Sequence, residues 1–445
     1  MNIPKLFIQN MEKLIGSESS AFFEAIHQNP KTSVRLNPLK SEHNLNLAER
    51  VPWCEQGYYL NERPVFTLDP FFHAGHYYVQ EASSMFLDYV LKYLNLPKDI
   101  HVLDICSAPG GKSTLLASYF SESAFIHCHE FDQHRTTALQ HNMIKWGHSN
   151  ITISQGSLKE LKNTGITYDL ILLDAPCSGE GMFRKERKAL EQWSPEKIQS
   201  CQRMQKEIVQ IVAQLGHENS ILIYSTCTYN MFENEEVLST LISNGTYDPV
   251  EINSDYNVWK SDNESNLYSY RFMPHRIQGE GLTLTVLRKN KNSTSIEYSG
   301  KKSFKEFQNP FSPKAWLQDS EEFIIKDFKK QLLAIRKSHL ENSNLCLQHL
   351  NVWNTGIQLG QIKGLDFIPH HGLSQSAFKS NELPEIQLDY KQALEYLRCL
   401  HFPLDVNTSE KWFVAKFQSA SMGWIKSNSN GWKNYYPKHY RILSY

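Results

Sequence analysis

The most constraining feature of this chain is a series of five short apolar segments in its middle part. They read HVLDI, AFIHCHE, NITIS, YDLILLD and SILIYST, and each runs into polar residues or into glycine and proline. Helical stretches separate some of them, at 133–146 and 197–215. This alternation predicts a parallel α/β sheet. The segment LTLTVLR (282–288) is expected to close the sheet as a later strand, either parallel or antiparallel to the others.

The length of 445 residues exceeds what one hydrophobic core usually serves, so two or three domains are expected. We predict an N-terminal α/β subdomain over 1–95 and the sheet domain over 96–290. A linker is predicted over 291–313, where the sequence is rich in Lys, Ser and Asn. Short strand-like segments then predict a C-terminal region over 314–445 that contains a small β-rich module.

The composition is that of an ordinary globular protein, with 40% hydrophobic residues and a formal net charge of -1. A polyanionic partner must therefore be met by local basic patches. We identify no segment with the roughly 18 uncharged apolar residues of a membrane span, so a cytoplasmic protein without membrane contact is expected. The eight cysteines include no C-x-x-C pair, which signals neither a disulfide framework nor a zinc site.

The segment CSAPGGKS (106–113) is similar to a phosphate-binding loop but lacks its first glycine, because Cys106 fills that place. Glycine turns at the carboxyl ends of parallel strands also let the backbone approach other ligands. Glu130 ends the next predicted strand, 20 residues after Gly110. That spacing suits a carboxylate that binds the ribose hydroxyls of an adenosine group, although Glu130 alone could equally be a polar strand end.

Two cysteines follow two different predicted strands, Cys177 in DAPCSGEG and Cys227 in STCTYN. One such cysteine is more often a small buried hydrophobe, but two at the same sheet edge indicate chemistry. Methylation of cytosine carbon 5 needs a thiolate that first adds to carbon 6. Asp174 could hydrogen-bond the N3 and N4 edge of the ring. A second acid or base near the ring must then assist the release of the thiol, and Cys177 is placed for this.

The motifs LDICSAPGGKS, LLDAPCSGEG and YSTCTYN resemble, in this order, those of the Nol/Nop/Sun family of S-adenosylmethionine-dependent RNA cytosine-5 methyltransferases. The segments RFMPHRIQGEG, GIQLGQIKG and KNYYPKHYR are similar to the bacterial 16S rRNA methyltransferase F group. The resemblance implies a Rossmann-like methyltransferase sheet, an N-terminal RNA-binding subdomain and a C-terminal PUA-like module. It implies S-adenosyl-L-methionine as the cofactor and no metal.

The resemblance also implies roles for individual residues. Cys227 would be the nucleophile, Cys177 would help to release the product, and Asp174 would serve both the catalytic and the cofactor site. Ser157 stands where the family usually has an Asp beside the adenine, and Cys106 is expected to be a packing residue within its loop. The predicted cofactor-binding residues are Cys106, Ser107, Ala108, Pro109, Gly110, Gly111, Lys112, Glu130, Ser157 and Asp174.

Six residues are predicted to contact RNA. Arg184 and Lys185 follow the DAPCSGEG motif, where an enzyme that flips out a base must hold the strand, although such charge runs are commonly just solvated. The tail GWKNYYPKHYR interleaves aromatic and basic residues, as single-stranded RNA binding requires. Within it Lys433, Tyr435, Tyr436 and Arg441 are predicted RNA contacts, and Trp432 is predicted to be core.

The predicted function is the formation of 5-methylcytosine in 16S rRNA, free or within a 30S subunit, by a monomeric enzyme. Three alternatives stay open at this point. One is methylation of tRNA, and another is a ribosome-assembly factor that binds RNA without catalysis. The third, a DNA cytosine-5 methyltransferase, would use the Pro-Cys cysteine as nucleophile and would need no second thiol.

Overall fold

A computed structural model describes residues 3–40, 42–261, 267–290, 304–306, 312, 315–364, 366–404, 410–429 and 431–443. These residues form four β-sheets, of which the largest contains ten strands and lies between two layers of helices. The predicted α/β class, with additional sheets before and after the central one, is confirmed.

The N-terminal region forms helices and a four-stranded antiparallel sheet in the order β2-β3-β1-β4. Its elements are α1 (Lys5–Ile15), α2 (Ser19–Ile26), β1 (Ser33–Leu36), β2 (Leu47–Arg50), β3 (Gly57–Leu60), α3 (Pro70–His73), β4 (Tyr77–Val79) and α4 (Phe86–Leu94). Strand β4 and the turn that leads into α4 both lie within the segment HYYVQEASSMF (76–86).

The central region alternates strands and helices as predicted. Its elements are β5 (His101–Ile105), α5 (Gly111–Tyr119), β6 (Phe125–Glu130), α6 (Gln133–Trp146), β7 (Ile151–Gln155), α7 (Leu158–Leu161), β8 (Tyr168–Asp174), α8 (Arg187–Gln192), α9 (Pro195–Val212), β9 (Gly216–Thr226), α10 (Glu235–Ser243), β10 (Tyr247–Pro249), β11 (Trp259–Lys260), β12 (Ser269–Phe272) and β13 (Leu282–Lys289). The predicted helix over 133–146 is α6.

Strands β7, β6, β5, β8 and β9 lie side by side in this order and run parallel. Strand β13 pairs with β9 in the antiparallel direction, so the predicted closing strand is confirmed. Along the chain, β6 and β7 follow β5 on one side of it. The next strands, β8 and β9, lie on the other side of β5. The switch point between β5 and β8 opens a crevice at their carboxyl ends, which is where open α/β sheets bind ligands.

The two faces of the sheet carry separate apolar layers because successive side chains of a strand point in opposite directions. On β5, Val102 packs with residues of α4, α5 and α6, whereas Leu103 packs with residues of α9 and α10. All four side chains from Val102 to Ile105 are buried. A strand buried on both faces reads as a continuous apolar run, which explains the sequence pattern.

The C-terminal region forms two smaller sheets, ordered β14-β15-β16-β18-β19 and β20-β21-β22-β23. Its elements are β14 (Lys305–Glu306), β15 (Phe323–Phe328), β16 (Gln331–Arg336), α11 (Leu340–His349), β17 (Asn351–Thr355), β18 (Ile357–Lys363), β19 (Asp366–Pro369), α12 (His371–Gln375), β20 (Glu385–Gln387), α13 (Tyr390–Leu397), β21 (Trp412–Phe417), β22 (Ala420–Asn428) and β23 (Gly431–Asn434). The predicted β-rich module is confirmed.

The C-terminal region is more closely joined to the rest than the predicted domain boundaries suggest. Strand β17 pairs with β7 and extends the central sheet, so it covers a strand edge that would otherwise be open. The last sheet shares a core with the N-terminal region, where Phe71 and Phe417 have ring centroids 5.7 Å apart. Most of the predicted linker over 291–313 lies outside the described residues, and within it β14 pairs with β15.

Among the described helices, none is long and apolar enough to cross a membrane. Nor do the described residues contain a group of three or more His, Cys, Asp or Glu side chains that could hold a metal ion.

Candidate active site

The CSAPGGKS segment forms the connection from β5 to α5. It turns through two residues with positive φ, Cys106 at 59° and Gly110 at 108°, before α5 begins at Gly111. A positive φ is easy for glycine but uncommon for other residues. Cys106 is 4% exposed and packs in the core with Ile105, and burial raises the pKa of its thiol. It is therefore a packing residue, as predicted.

A cavity of about 150 Å³ lies over this loop. It is lined by Tyr78, Val79, Gln80, Glu81 and Ser84 of the N-terminal region and by Asp104, Cys106, Ser107, Ala108, Pro109, Gly111, Lys112 and Asp174. The structure thus brings most of the predicted cofactor residues together with a wall from the N-terminal region. Gln80 and Glu81 belong to this wall and were not among the residues predicted from the sequence.

The Asp104 carboxylate is fully buried beneath this cavity, and burial raises its pKa to about 7. The Ser113 hydroxyl donates to Oδ2 at 2.5 Å, whereas Oδ1 has no hydrogen-bond partner among the described residues. A buried oxygen without a partner is costly, and a ligand that donates a hydrogen bond would relieve this cost. The cavity, with this acceptor and the Asp174 carboxylate, fits the ammonium group of the methionine part of S-adenosylmethionine.

Glu130 and Ser157 do not line this cavity. Glu130 is fully buried and accepts hydrogen bonds from the backbone N–H groups of Ala108 at 3.2 Å, Phe131 at 3.0 Å and Asp132 at 3.1 Å. Its carboxylate therefore holds the loop against the end of β6. Ser157 is exposed and caps α7. Their predicted contacts with the ribose and the adenine stay predictions.

The two predicted catalytic thiols lie in contact. Cys177 follows β8 and Cys227 follows β9, and these strands are paired neighbours up to Asp174 and Ser225. The two Sγ atoms are 2.9 Å apart, and the Cys227 N–H lies 3.2 Å from the Cys177 Sγ. A disulfide bond would be about 2.05 Å long, so both are free thiols. The hydrogen bond to Cys227 and burial both raise the pKa of Cys177 well above its usual value.

Asp174 connects the cavity to the thiols. Its Oδ1 lies 2.7 Å from the Lys112 Nζ and accepts a hydrogen bond from the Ser225 hydroxyl at 2.7 Å. Burial lowers the pKa of Lys112, but the Asp174 carboxylate outweighs this effect and raises it above the usual value. Lys112 is therefore a cation, and the Asp174 side chain keeps 35% exposure beside it.

Two buried carboxylates near the thiols were missed by the sequence analysis. Glu180 is 2% exposed and lies three residues after Cys177, and Glu233 is fully buried and lies six residues after Cys227. Each accepts hydrogen bonds from the loop of the other cysteine. The available signal was the presence of acidic residues inside both cysteine loops, but their burial depends on how the loops pack.

The structure corrects two of the predicted RNA contacts. Arg184 forms an ion pair with Glu280 at 3.2 Å and donates to the Gly279 carbonyl at 2.6 Å, with only 9% of its side chain exposed. Its guanidinium is thus used within the fold and not free for a phosphate. Tyr436 is 3% exposed within the C-terminal core, so its ring is not available for stacking on a base.

The remaining predicted RNA residues lie at the surface to different degrees. Lys185, Lys433 and Arg441 are exposed. Tyr435 is partly buried, with its ring centroid 4.6 Å from that of Trp412. Trp432 is 6% exposed, which confirms its prediction as a core residue.

Three parts of the sequence match known families. Residues 91–288 match the family described as 16S rRNA methyltransferase RsmB/F, and residues 3–82 match the N-terminal domain of 16S rRNA methyltransferase RsmF. Residues 383–442 match the methyltransferase RsmF PUA domain. The ribosomal RNA small subunit methyltransferase F of Pectobacterium carotovorum subsp. carotovorum (strain PC1) is 31% identical, over 71% of this chain and 68% of the relative. The chain belongs to the methyltransferase F family.

Another methyltransferase F relative aligns along nearly the whole chain. The protein of the same name from Cronobacter sakazakii (strain ATCC BAA-894) is 26% identical over 98% of this chain and 96% of the relative. A solved structure described as a methyltransferase homologue from Pyrococcus horikoshii is 26% identical, with a TM-score of 0.55, and covers 64% of this chain and 95% of that chain. The resemblance stated from the sequence is confirmed, together with the S-adenosylmethionine-dependent methyltransferase class.

Proposed function

We propose that this chain methylates carbon 5 of cytosine in 16S rRNA, through a covalent bond between Cys227 and carbon 6 of the base. The observation that carries the proposal is the contact of the Cys177 and Cys227 thiols, 2.9 Å apart, beside the ion pair of Lys112 and Asp174. A DNA-type enzyme, with the Pro-Cys thiol as sole nucleophile, gives no reason for a second thiol in this position. An assembly factor without catalysis gives no reason for either.

Carbon 5 of cytosine is a poor nucleophile, and the addition step overcomes this. The Cys227 thiolate forms a bond to carbon 6, and the electron pair of the C5–C6 double bond becomes available at carbon 5. When bound, S-adenosylmethionine would supply the electrophilic methyl group. Carbon 5 would form its new bond to the methyl carbon as the methyl–sulfur bond breaks, and the electron pair of that bond would stay on the sulfur as a neutral thioether. The Asp174 carboxylate would accept a hydrogen bond from the N4 amino group and so orient the ring.

Release of the product requires two bonds to break. The proton on carbon 5 leaves to solvent, and the electron pair of the C5–H bond restores the C5–C6 double bond. The C6–S bond breaks, and its electron pair returns to the Cys227 sulfur. Because the pKa of Cys177 is raised, its thiol stays protonated and can donate a hydrogen bond to the departing thiolate. Cys177 would thereby assist release without forming a covalent bond itself.

The proposed partner is RNA. The match of residues 383–442 to a PUA domain supports this, as do the names of the relatives, and the exposed Lys185, Lys433 and Arg441 offer cations for phosphate contacts. We propose that a monomer acts in the cytoplasm, on 16S rRNA that is free or within a 30S subunit. Bisulfite sequencing of total RNA from a deletion strain and its parent would identify the cytosine. A lost signal in tRNA in place of 16S rRNA would reassign the substrate.

The proposed mechanism is tested with Cys227→Ala and Cys177→Ala, incubated with 16S rRNA and S-adenosylmethionine. The first variant should lose methyl transfer, and the second should accumulate an RNA adduct that survives a denaturing gel. Cys399→Ala is the matched control, since Cys399 is also partly exposed but lies in the C-terminal module. An adduct formed by the Cys227→Ala variant would instead assign the nucleophile to Cys177.

A further inference from the structure

The loop after β8 carries Cys177, and the loop after β9 carries Cys227. Each of these two cysteine loops contains a glutamate whose carboxylate accepts hydrogen bonds from the other loop. Glu180, from the Cys177 loop, accepts hydrogen bonds from the Thr228 hydroxyl at 2.7 Å and from the N–H groups of Tyr229 at 2.9 Å and Asn230 at 3.0 Å. These three donors directly follow Cys227. One carboxylate thus organises the turn that carries the proposed nucleophile.

Glu233, from the Cys227 loop, makes the reciprocal contacts. It accepts from the N–H of Ser178 at 2.8 Å and also from the Ser178 hydroxyl. The side-chain amides of Gln205 at 3.0 Å and Asn230 at 2.8 Å complete its shell. Ser178 directly follows Cys177, so this carboxylate holds the turn of the second thiol.

Burial makes these contacts strong and specific. Glu180 and Glu233 are 2% and 0% exposed, and a buried carboxylate is costly unless donors surround it. Burial raises the pKa of Glu233, and the hydrogen bonds from Ser178 and Asn230 oppose this shift. Within a buried network of this kind, a lost partner is not replaced by water, so the loops cannot easily shift against each other.

Further contacts also link the two loops. Gly181 donates its N–H to the Cys227 carbonyl at 2.9 Å, the Cys227 N–H lies 3.2 Å from the Cys177 Sγ, and the Ser178 and Thr228 hydroxyls lie 3.0 Å apart. Glu180 and Glu233 supply most of the hydrogen bonds between the two turns.

We propose that Glu180 and Glu233, which we call the crossed carboxylates, are positioning residues that hold the Cys177 and Cys227 thiols in contact and so set the balance between covalent addition and product release. This inference rests on the proposed function, in which Cys227 adds to the base and Cys177 assists its departure. The two carboxylates should differ in effect, because Glu180 holds the turn after Cys227 and Glu233 holds the turn after Cys177.

The test compares Glu180→Gln and Glu233→Gln with the exposed control variants Glu186→Gln and Glu236→Gln. Each is given S-adenosylmethionine and either a 16S rRNA transcript or the same transcript made with 5-fluorocytidine. A methylated 5-fluorocytosine has no proton to lose from carbon 5, so its adduct cannot be released. The fluorinated transcript therefore reports addition and methyl transfer, and the ordinary transcript also reports release.

With the ordinary transcript, Glu233→Gln should lower turnover about tenfold and raise the steady-state fraction of denaturation-stable adduct. Its trapping rate on the fluorinated transcript should stay within about twofold of the wild-type rate. Glu180→Gln should instead lower the trapping rate about tenfold, without accumulation of adduct on the ordinary transcript. Both controls should behave as wild type.

Thermal unfolding and circular dichroism check that the variants fold. Ser178→Ala is the milder second variant, since it removes one hydroxyl contact of Glu233 and keeps the backbone contact, and it should shift the adduct fraction in the same direction. Equal losses of trapping and turnover in Glu233→Gln, or an unchanged adduct fraction in both it and Ser178→Ala, would overturn the inference.

The variant Cys177→Ala serves as the reference that separates this inference from the proposed function. If Cys177→Ala accumulates adduct but Glu233→Gln does not, only the crossed-carboxylate inference fails. If neither variant accumulates adduct, the proposed function fails, and the inference fails with it.

Discussion

Lys112 and Asp174 form an ion pair across the switch point of the central sheet, with 2.7 Å between Nζ and Oδ1. Lys112 belongs to the first turn of α5, and Asp174 is the last residue of β8. These positions are 62 residues apart in the chain, yet they adjoin because β5 and β8 are paired neighbours. The pair joins the cavity over the CSAPGGKS loop to the turn that carries Cys177.

Removal of either partner should destabilise the fold and should do so non-additively. We expect Lys112→Met and Asp174→Asn each to lower the free energy of unfolding by about 1–2 kcal/mol, less than for a fully buried pair because Asp174 is 35% exposed. A double-mutant cycle by chemical denaturation should give a coupling energy of about 1 kcal/mol. Strict additivity would mean that the pair does not contribute to stability.

Asp104 should make stability fall as pH rises. Its pKa is about 7 in the folded chain and 3.8 as the ordinary value, so the folded state binds the proton more tightly. The contribution of Asp104 to the free energy of unfolding is therefore most favourable below about pH 4. It is lost as the pH rises to about 7, a difference of roughly 4 kcal/mol. Asp104→Asn should flatten this part of the profile in denaturation experiments between pH 4 and 8. The exposed Asp99→Asn should leave it unchanged.

Two glycines near the site should respond differently to alanine. A Cβ at Gly281 would overlap the Tyr229 hydroxyl and the Gly181 backbone, so Gly281→Ala should lower the unfolding free energy by about 1–3 kcal/mol. A Cβ at Gly111 would lie 3.4 Å from the Tyr78 ring, an ordinary contact, so Gly111→Ala should keep its stability. Gly111 lines the cavity, and calorimetric titration with S-adenosylmethionine should show weaker binding for this variant. Unchanged affinity would place the cofactor elsewhere.

Strand β17 should stabilise the catalytic sheet although it comes from the C-terminal region. Val352 is 1% exposed and packs in the layer that also contains residues of α9. Val352→Ala should therefore lower the unfolding free energy by about 1–2 kcal/mol, measured by thermal and chemical denaturation. The neighbouring Asn351 is exposed, and Asn351→Ala should change it by less than about 0.5 kcal/mol. Equal effects would show that β17 is only loosely attached.

The tail should separate RNA binding from folding. Because Lys433 and Arg441 are exposed, the double variant Lys433→Ala/Arg441→Ala should fold normally and bind a 16S rRNA fragment more weakly. The slope of log affinity against log salt concentration should become shallower by about 1 to 2. Tyr436 is buried, so Tyr436→Ala should lower the unfolding free energy by about 3–5 kcal/mol. Filter binding over a range of salt concentrations and thermal unfolding measure the two effects. A salt dependence that does not change would exclude these cations from the phosphate contacts.

Local patterns in the sequence were sufficient for the central sheet. Each apolar segment became a strand because a strand buried on both faces carries mostly apolar side chains, and the helix over 133–146 coincides with α6. The thiols of Cys177 and Cys227 were expected to meet because the carboxyl ends of neighbouring parallel strands share one edge. That expectation needed only strand ends and chain order.

Other features depended on contacts between distant segments. Arg184 was expected to face RNA, but Glu280, 96 residues later, binds its guanidinium. Tyr436 was expected to stack on a base, but α13 and β22 enclose it in a core that the tail sequence does not reveal. The sequence also did not reveal that the Glu130 carboxylate accepts a hydrogen bond from the Ala108 N–H, 22 residues earlier in the chain.

The sequence by itself determined the class of fold, the order of the strands along the chain and the two thiols at one sheet edge, since these follow from periodicity and from short motifs. Only the tertiary structure decided that β17 completes the sheet and that Glu180 and Glu233 cross between the cysteine loops. Whether a carboxylate is buried and paired, or exposed and free, depends on which donors the folded chain brings within hydrogen-bond distance. That information is non-local, and a motif does not contain it.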